Sequence, residues 1–324
     1  MEIEGESLDD ILMCLYDHLP SNGLSNAGSR GETIELLGTS LRLRHPRTRL
    51  SRSENRGKSF SALGELLWYF SGGNDLSFVK EYVPAYEKEA DDDGTIHGGY
   101  GPRLFAMRGS IDQLSSISEL LKQRPSTRRA VVQLFNAEDI ASPHKEVPCT
   151  TTMQFFIRNE RLHMATTMRS NDAYKGLPHD IFCFTMIQEM LASELRTDLG
   201  EYYHFAGSMH VYAEDLDKLA TYKEEGYHRL AEMPSMPQGG YRKEISAMLD
   251  CERRMRAGEY FDASTVLQDP YWADLTRLLQ AFWASGMEER LDDLALSFDN
   301  PIYRTYLDSR RKMRPRQATG REGS

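Results

Sequence analysis

The segment from Thr150 to Ser170, TTTMQFFIRNERLHMATTMRS, limits the fold more than any other part of the chain. Two runs rich in Thr, Met, Phe and Ile flank Asn159-Glu160, which reads as two strands joined by a turn. An apolar helix follows from about His179, with Phe184, Ile187, Leu191 and Leu195 along one face, and that face has to pack on the sheet. The stretch EYYHFAGSMHVY (201–212) adds a strand and leads into a charged helix from about Glu214. Upstream, RRAVVQLFN (128–136) reads as a strand and TIELLGTSLRLRH (33–45) as two short strands around Gly38. The residues 59–73 give a helix stopped by Gly72-Gly73, Asp91 to Arg103 reads as a glycine-rich loop, and Ser110 is placed to cap a helix running to about Lys122.

A loop rich in Pro, Gly and Met (233–241) precedes two further helices. No repeat or shift of composition marks a boundary. The expectation is a single α+β domain over 1–324, with appended helices at about 242–307 and a flexible basic tail at 308–324.

With 324 residues and 40% hydrophobic content, the chain can bury a sizeable core. Its four cysteines, Cys14, Cys149, Cys183 and Cys251, show no paired spacing and no histidine cluster, so neither a zinc site nor a disulfide framework is expected. The acidic, amphipathic N-terminal stretch does not read as a signal peptide, and no stretch reaches the length of a membrane span; the expected location is the cytoplasm. The net charge of −10 disfavours nonspecific attraction to nucleic acid or anionic lipid but leaves room for a local basic pocket.

Several residues can carry chemistry. Cys149 lies between Pro148 and a strand, at the mouth of a sheet, where nearby cations favour a thiolate; a buried structural cysteine is the alternative. Arg169 and Ser170 pair a guanidinium with a hydroxyl, a combination suited to phosphate. Arg128 and Arg129 could add donors, but strand neighbours point to opposite faces, so one of them would serve a partner chain. Each arginine taken alone also fits a surface ion pair. His210 and Tyr212 share a strand face and could bind a hydroxyl pair, or simply be satisfied in the core. Glu65 is the lone charge in SALGELLWYF, which calls for a raised pKa, a specific partner, or a helix edge facing water. The acidic run at Asp91 to Gly94 lacks calcium-loop spacing and reads as a solvated turn.

Taken together these residues resemble the thymidylate synthase family. The elements are Arg128-Arg129, Pro148-Cys149 with Gln154 five residues on, RSND at Arg169 to Asp172, GLP at Gly176 to Pro178, and HVY at His210 to Tyr212, in matching order from about Arg30 to Leu219. The resemblance implies a mixed β-sheet with packed helices and an obligate homodimer joined sheet to sheet. It further implies a pyrimidine nucleoside monophosphate substrate and 5,10-methylenetetrahydrofolate as co-substrate, with no metal. Cys149 would be the nucleophile, with Glu65 and Tyr100 assisting proton transfer. Arg30, Arg169 and Ser170 would hold phosphate in cis, and Arg128 and Arg129 across the interface. His210 and Tyr212 would bind the sugar hydroxyl, and Asp172 and Tyr86 the folate, Tyr86 standing where the family carries a tryptophan.

The departures refine that expectation. Thymidylate-forming members carry asparagine where this chain has Asp180. A carboxylate cannot donate to O4 of uracil, whereas the 4-amino group of cytosine donates and its protonated N3 donates too. Asp180 therefore points to CMP or dCMP and resembles the family's cytidylate hydroxymethylase branch. Thr150 replaces the histidine that usually follows the nucleophile. The basic C-terminal run replaces a short apolar segment that closes over folate, and a looser lid would admit water. The expected reaction is 5-hydroxymethylation of a cytidylate with release of tetrahydrofolate. The alternatives are dUMP methylation and a catalytically silent nucleotide-binding dimer.

Overall fold

The computed structural model describes residues 1–28, 30–51, 53, 59–226 and 230–316. Seven strands, β1 (Glu2–Gly5), β2 (Leu24–Gly28), β3 (Gly31–Leu43), β4 (Val131–Gln133), β5 (Thr150–Arg158), β6 (Arg161–Asp172) and β7 (Asp198–Tyr212), form one mixed sheet. Its order is β1-β3-β7-β6-β5-β4, with β2 paired to β3. The β5–β6 hairpin turns through Asn159 and Glu160 at φ 49° and 60°. Two successive left-handed residues are what a two-residue hairpin loop needs to match the twist of its strands.

Two strand expectations need correction. The segment 33–45 belongs to one long strand: Gly38 takes φ 65°, yet the register against β7 runs through it, from Leu37 opposite Ser208 to Thr39 opposite Ala206. The segment 128–136 is a strand only at Val131–Gln133, because the amides of Leu134 and Phe135 both turn onto the carbonyl of Thr151 and end the ladder at this sheet edge.

The helices are α1 (Leu8–Asn22), α2 (Ser59–Phe70), α3 (Leu76–Val79), α4 (Tyr100–Phe105), α5 (Gln113–Gln123), α6 (Leu177–Leu195), α7 (Leu216–Glu224), α8 (Arg242–Arg256), α9 (Pro270–Trp283), α10 (Glu288–Ser297) and α11 (Asp308–Arg311). Thus α4 overlaps the end of the expected loop, and among the described residues four helices follow residue 241 instead of two. The N-cap of α5 is Asp112, whose Oδ1 accepts from the Ser115 amide at 2.8 Å; a carboxylate also suits the positive end of the helix dipole. α6 begins two residues before His179, with Pro178 in its first turn, where a missing amide hydrogen costs nothing.

α6 is the central element. Nearly every residue from Leu177 to Ser193 is buried, so it is apolar all round, lying between the sheet and α2. Its Gln188 pins it to the sheet, with Nε2 donating to the carbonyls of Leu162 (2.9 Å) and Gly200 (3.2 Å). The buried Arg49–Glu189 ion pair fixes the chain after β3 to the same helix, and Glu189 also receives the Met236 amide at 3.0 Å.

The C-terminal helices α8 and α9 pack on α2, and α9 also meets the segment after α3 through aromatic rings. Tyr82 stacks on Phe282 at 4.7 Å and its hydroxyl accepts from Trp283 Nε1 at 3.1 Å. Within the basic run expected to be a tail, the Arg310 guanidinium lies 4.4 Å from the Phe60 ring and that of Arg316 3.9 Å from Phe282, while residues 312–315 are exposed. Residues 317–324 lie outside the described residues.

The other face of the sheet is open. Cross-strand registry lines up Val131, Gln154, Ala165, Tyr203 and Arg42 in one row, and Val131, Tyr203 and Phe205 are exposed. Gly64 on α2 is required by packing: a Cβ there would meet the Tyr82 ring at 2.1 Å. Gly64→Ala is expected to lower stability by about 1–3 kcal/mol through overpacking, seen as an earlier urea midpoint with an unchanged slope.

Candidate active site

Topology gathers the chemistry at one end of the sheet. β6 and β7 run parallel and finish there, while β5 and β3, each antiparallel to its neighbour, begin there. Cys149 stands just before β5, Arg30 just before β3, Arg169, Ser170 and Asp172 close to the end of β6, and His210 and Tyr212 at the end of β7. The first turn of α6 brings His179 and Asp180.

The half-buried Cys149 thiol lies 3.7 Å from Arg169 Nη2 and 3.8 Å from Glu146 Oε1. Arg169 is aimed by two carbonyls, with Nε donating to Pro148 and Nη2 to Val147, both at 3.0 Å. Glu146 is ion-paired to Arg30 and lies 3.6 Å from Arg169 Nη2, so one carboxylate bridges both guanidinium groups. Arg30 also pairs with Glu89 at 2.8 Å. Burial pushes the Cys149 thiol up to about 12; Arg169 pulls against this and Glu146 adds to it. Glu89 is pushed up to about 7, by burial and then by Glu146. The two arginines thus frame an anion seat beside the thiol, and Glu146 fills it.

Glu65, 6% exposed, has specific partners. Oε1 accepts from the hydroxyls of Tyr86 (2.7 Å) and Tyr69 (3.0 Å), and Oε2 lies 2.9 Å from His179 Nδ1. His179 Nε2 lies in turn 3.0 Å from Ser61 Oγ. Burial raises the carboxyl's pKa, but His179, Tyr86 and Tyr69 together outweigh it and hold the group below its ordinary value. Of the readings open at Glu65, the partnered carboxylate stands; a raised pKa does not.

Asp180 goes the other way. Its Oδ2 accepts from Asn171 Nδ2 at 2.7 Å, but burial and the charge of Glu65 push it well above the usual carboxylate range. Gly176 leaves room for this pair, since a Cβ would come within 3.2 Å of Asn171 Nδ2 and 3.4 Å of Asp180 Oδ2. Tyr100 is buried nearby, its hydroxyl 2.8 Å from Thr150 Oγ1 and accepting the Thr150 amide at 3.2 Å. Burial, with Asp180 and Cys149 adding, raises its pKa.

Ser170 Oγ lies 3.3 Å from His210 Nδ1, and the rings of His210 and Tyr212 meet edge to face at 5.5 Å. Burial lowers the pKa of His210. Asp172 Oδ1 receives the amides of Tyr174 (2.8 Å) and Lys175 (2.7 Å), so it shapes the turn into α6. Arg128 and Arg129 stand apart: both are exposed before β4, Gln154 Nε2 donates to the Arg128 carbonyl at 2.8 Å, and neither guanidinium has an ion-pair partner among the described residues. A separate groove of about 770 Å³ sits by the β5–β6 hairpin, lined by Arg47, Arg161 and Glu201 among others, and shares no residue with this site.

Glu146, His179, Asn171 and Tyr69 were missed in the sequence. His179 could have been noticed as a polar residue beside Asp180 in an apolar helix; Glu146 carries no signal beyond lying three residues before Cys149. Among the described residues there is no group of three or more His, Cys, Asp or Glu able to hold a metal, and no helix is long and apolar enough to cross a membrane. Glu146→Gln removes a charge that opposes the thiolate. The Cys149 alkylation rate, followed by peptide mass against pH, is therefore expected to rise at lower pH in this variant than in the wild type.

Residues 28–238 match the family model described as thymidylate synthase. A thymidylate synthase from Bacillus subtilis subsp. natto is 30% identical over 185 residues, which are 55% of this chain and 66% of that protein, slightly under two thirds of its length. The part the family model covers is more than half of the chain and carries β3 to β7, the Cys149 seat and α6, and the chain belongs to the thymidylate synthase family.

Proposed function

We propose that this protein is a folate-dependent 5-hydroxymethyltransferase acting on CMP or dCMP. The observation that carries the reading is Asp180, a carboxyl group where thymidylate-forming members have an amide, held by Asn171 at 2.7 Å through Oδ2 and so leaving Oδ1 to meet a base. Toward cytosine, Oδ1 and ring N3 share one proton while the 4-amino group donates to the remaining lone pair of Oδ2, giving two bonds, one of them charge-assisted. A carboxyl raised well above its ordinary range shares that proton readily.

The phosphate takes the seat between Arg30 and Arg169, with Ser170, and displaces Glu146. Arg169, 3.7 Å from the thiol, is the cation that favours the Cys149 thiolate. The thiolate adds to C6 of the pyrimidine and makes C5 a carbon nucleophile, with Asp180 stabilising the N3-protonated ring. Methylenetetrahydrofolate supplies the one-carbon unit to C5, the C5 proton leaves, and tetrahydrofolate departs, leaving an exocyclic methylene on the ring. Glu65, ionised, takes a proton from a water that adds to that methylene, and Cys149 is then eliminated. No hydride is transferred, so the folate leaves as tetrahydrofolate. His210 and Tyr212 bind the sugar hydroxyl, and Asp172 and Tyr86 border the folate.

A homodimer across the open sheet face completes the site. The exposed row of Val131 and Tyr203 with Phe205 supplies apolar contact, and the unpaired Arg128 and Arg129 reach the partner's phosphate. Soluble family-like residence in the cytoplasm accompanies this reading.

The runner-up is dUMP methylation, favoured by the same raised carboxyl: as a neutral acid, Asp180 donates to uracil O4 as an amide would. The two separate by substrate and pH. The expected result is tritium release from C5 of cytidylate, a product about 30 mass units heavier, as one added CH2O requires, and no dihydrofolate absorbance. Turnover confined to uridylate would reject the assignment. Any uridylate turnover needs the acid form, so it is present at low pH and lost as pH rises through the raised Asp180 pKa, while cytidylate turnover extends higher. In Asp180→Asn, Asn171 should hold the new carbonyl and turn its NH2 to the base, moving preference toward uridylate by about 10- to 100-fold in kcat/KM. Cys149→Ser should abolish turnover while nucleotide binding, measured by calorimetry, persists.

A further inference from the structure

We propose that His179 is the positioning residue for Glu65, donating from Nδ1 to Oε2 at 2.9 Å so that this oxygen is held in one place for the reaction. The inference rests on Glu65 acting as the base in the reading above. Each oxygen of Glu65 has a defined set of donors: Tyr86 and Tyr69 share Oε1, and among the described residues His179 alone serves Oε2. Two donors occupy both lone pairs of Oε1. Oε2, with one donor, keeps a lone pair for water.

The other ring nitrogen decides the tautomer. Ser61 Oγ lies 3.0 Å from Nε2, and its hydroxyl can donate there, which leaves the hydrogen on Nδ1, facing Glu65. Ser61 and Glu65 are four residues apart on α2, so both ends of the imidazole are gripped by one face of one helix, while the ring itself comes from the first turn of α6. Proton exchange at Glu65 is therefore tied to the placement of Asp180, the next residue on that turn. The other titratable groups around the pair are Tyr69 from α2, Tyr86 and Glu89 from the segment after α3, and Asp180 and Cys183 from α6. Asp180 and Glu89 are acidic and oppose a second buried charge, so the ionised state of Glu65 depends on its donors.

The test uses the full chain and whichever pyrimidine nucleotide the wild type turns over, so an error in the base assignment does not decide it. His179→Ala should lower kcat by about 100-fold and move the acidic limb of its pH profile to higher pH, because a buried carboxylate that loses a donor binds its proton more tightly. Nucleotide affinity should stay within about threefold, and imidazole added to His179→Ala should restore part of the rate. His179→Asn, whose amide nitrogen can stand near the Nδ1 position, should recover most of kcat. An unmoved acidic limb in His179→Ala, or His179→Asn no better than His179→Ala, would overturn the proposal. Nitrogen-15 spectra of the histidine ring give a readout independent of turnover: a neutral ring protonated at Nδ1, changed by Glu65→Gln, is expected, and an Nε2-protonated ring is incompatible with it. Absence of turnover on every pyrimidine nucleotide would reject the proposed function, while these spectra would still decide whether His179 holds Glu65.

Discussion

A carboxylate buried in the middle of an apolar helix constrains everything around it. Left without partners, Glu65 would cost several kcal/mol in desolvation or give up its charge. Its donors come from three places, Tyr69 on its own helix, Tyr86 in the turn Pro84–Lys88 and His179 on α6, and they tie those elements into one arrangement. Because His179 sits in the first turn of α6, satisfying Glu65 also fixes where that helix begins, and with it the direction of Asp180.

Two neighbouring acids consequently diverge. Glu65 has three donors and stays ionised; Asp180 has Asn171 and the repulsion of Glu65, and holds its proton more tightly. In the proposed function, that divergence lets Glu65 serve as the base and Asp180 as the group that shares a proton with the ring. The same electrostatic logic operates at Cys149, where the carboxylate of Glu146 neutralises the arginines that favour a thiolate.

The open sheet face and the packed C-terminal helices place opposite demands on the sequence. One face of the sheet must hold α6, whose buried Gln188 bonds to backbone carbonyls, and the other presents Tyr203 and Phe205 outward. Exposed aromatics in a regular row on a sheet suit a second sheet better than water. The C-terminal helices cover α2 instead, through Tyr82, Phe282 and Trp283, which shields the back of the helix that carries Glu65.

Local patterns were enough to read the β5–β6 pair, α2 and the apolar α6, because periodicity and turn chemistry act within a few residues. The order of motifs along the chain likewise identified the family and most of the residues now found at one end of the sheet. Strand limits at β4, the continuity of β3 through Gly38 and the start of α6 were decided by long-range pairing. So were the partners of each charge. Residues 65 and 179 are far apart in sequence, and Glu146 meets Arg30 only because β3 and β5 start at the same end of the sheet. The sequence by itself determined which chemical groups this protein possesses; only the tertiary structure decided which carboxyl is ionised, because that depends on donors and burial brought together from distant segments.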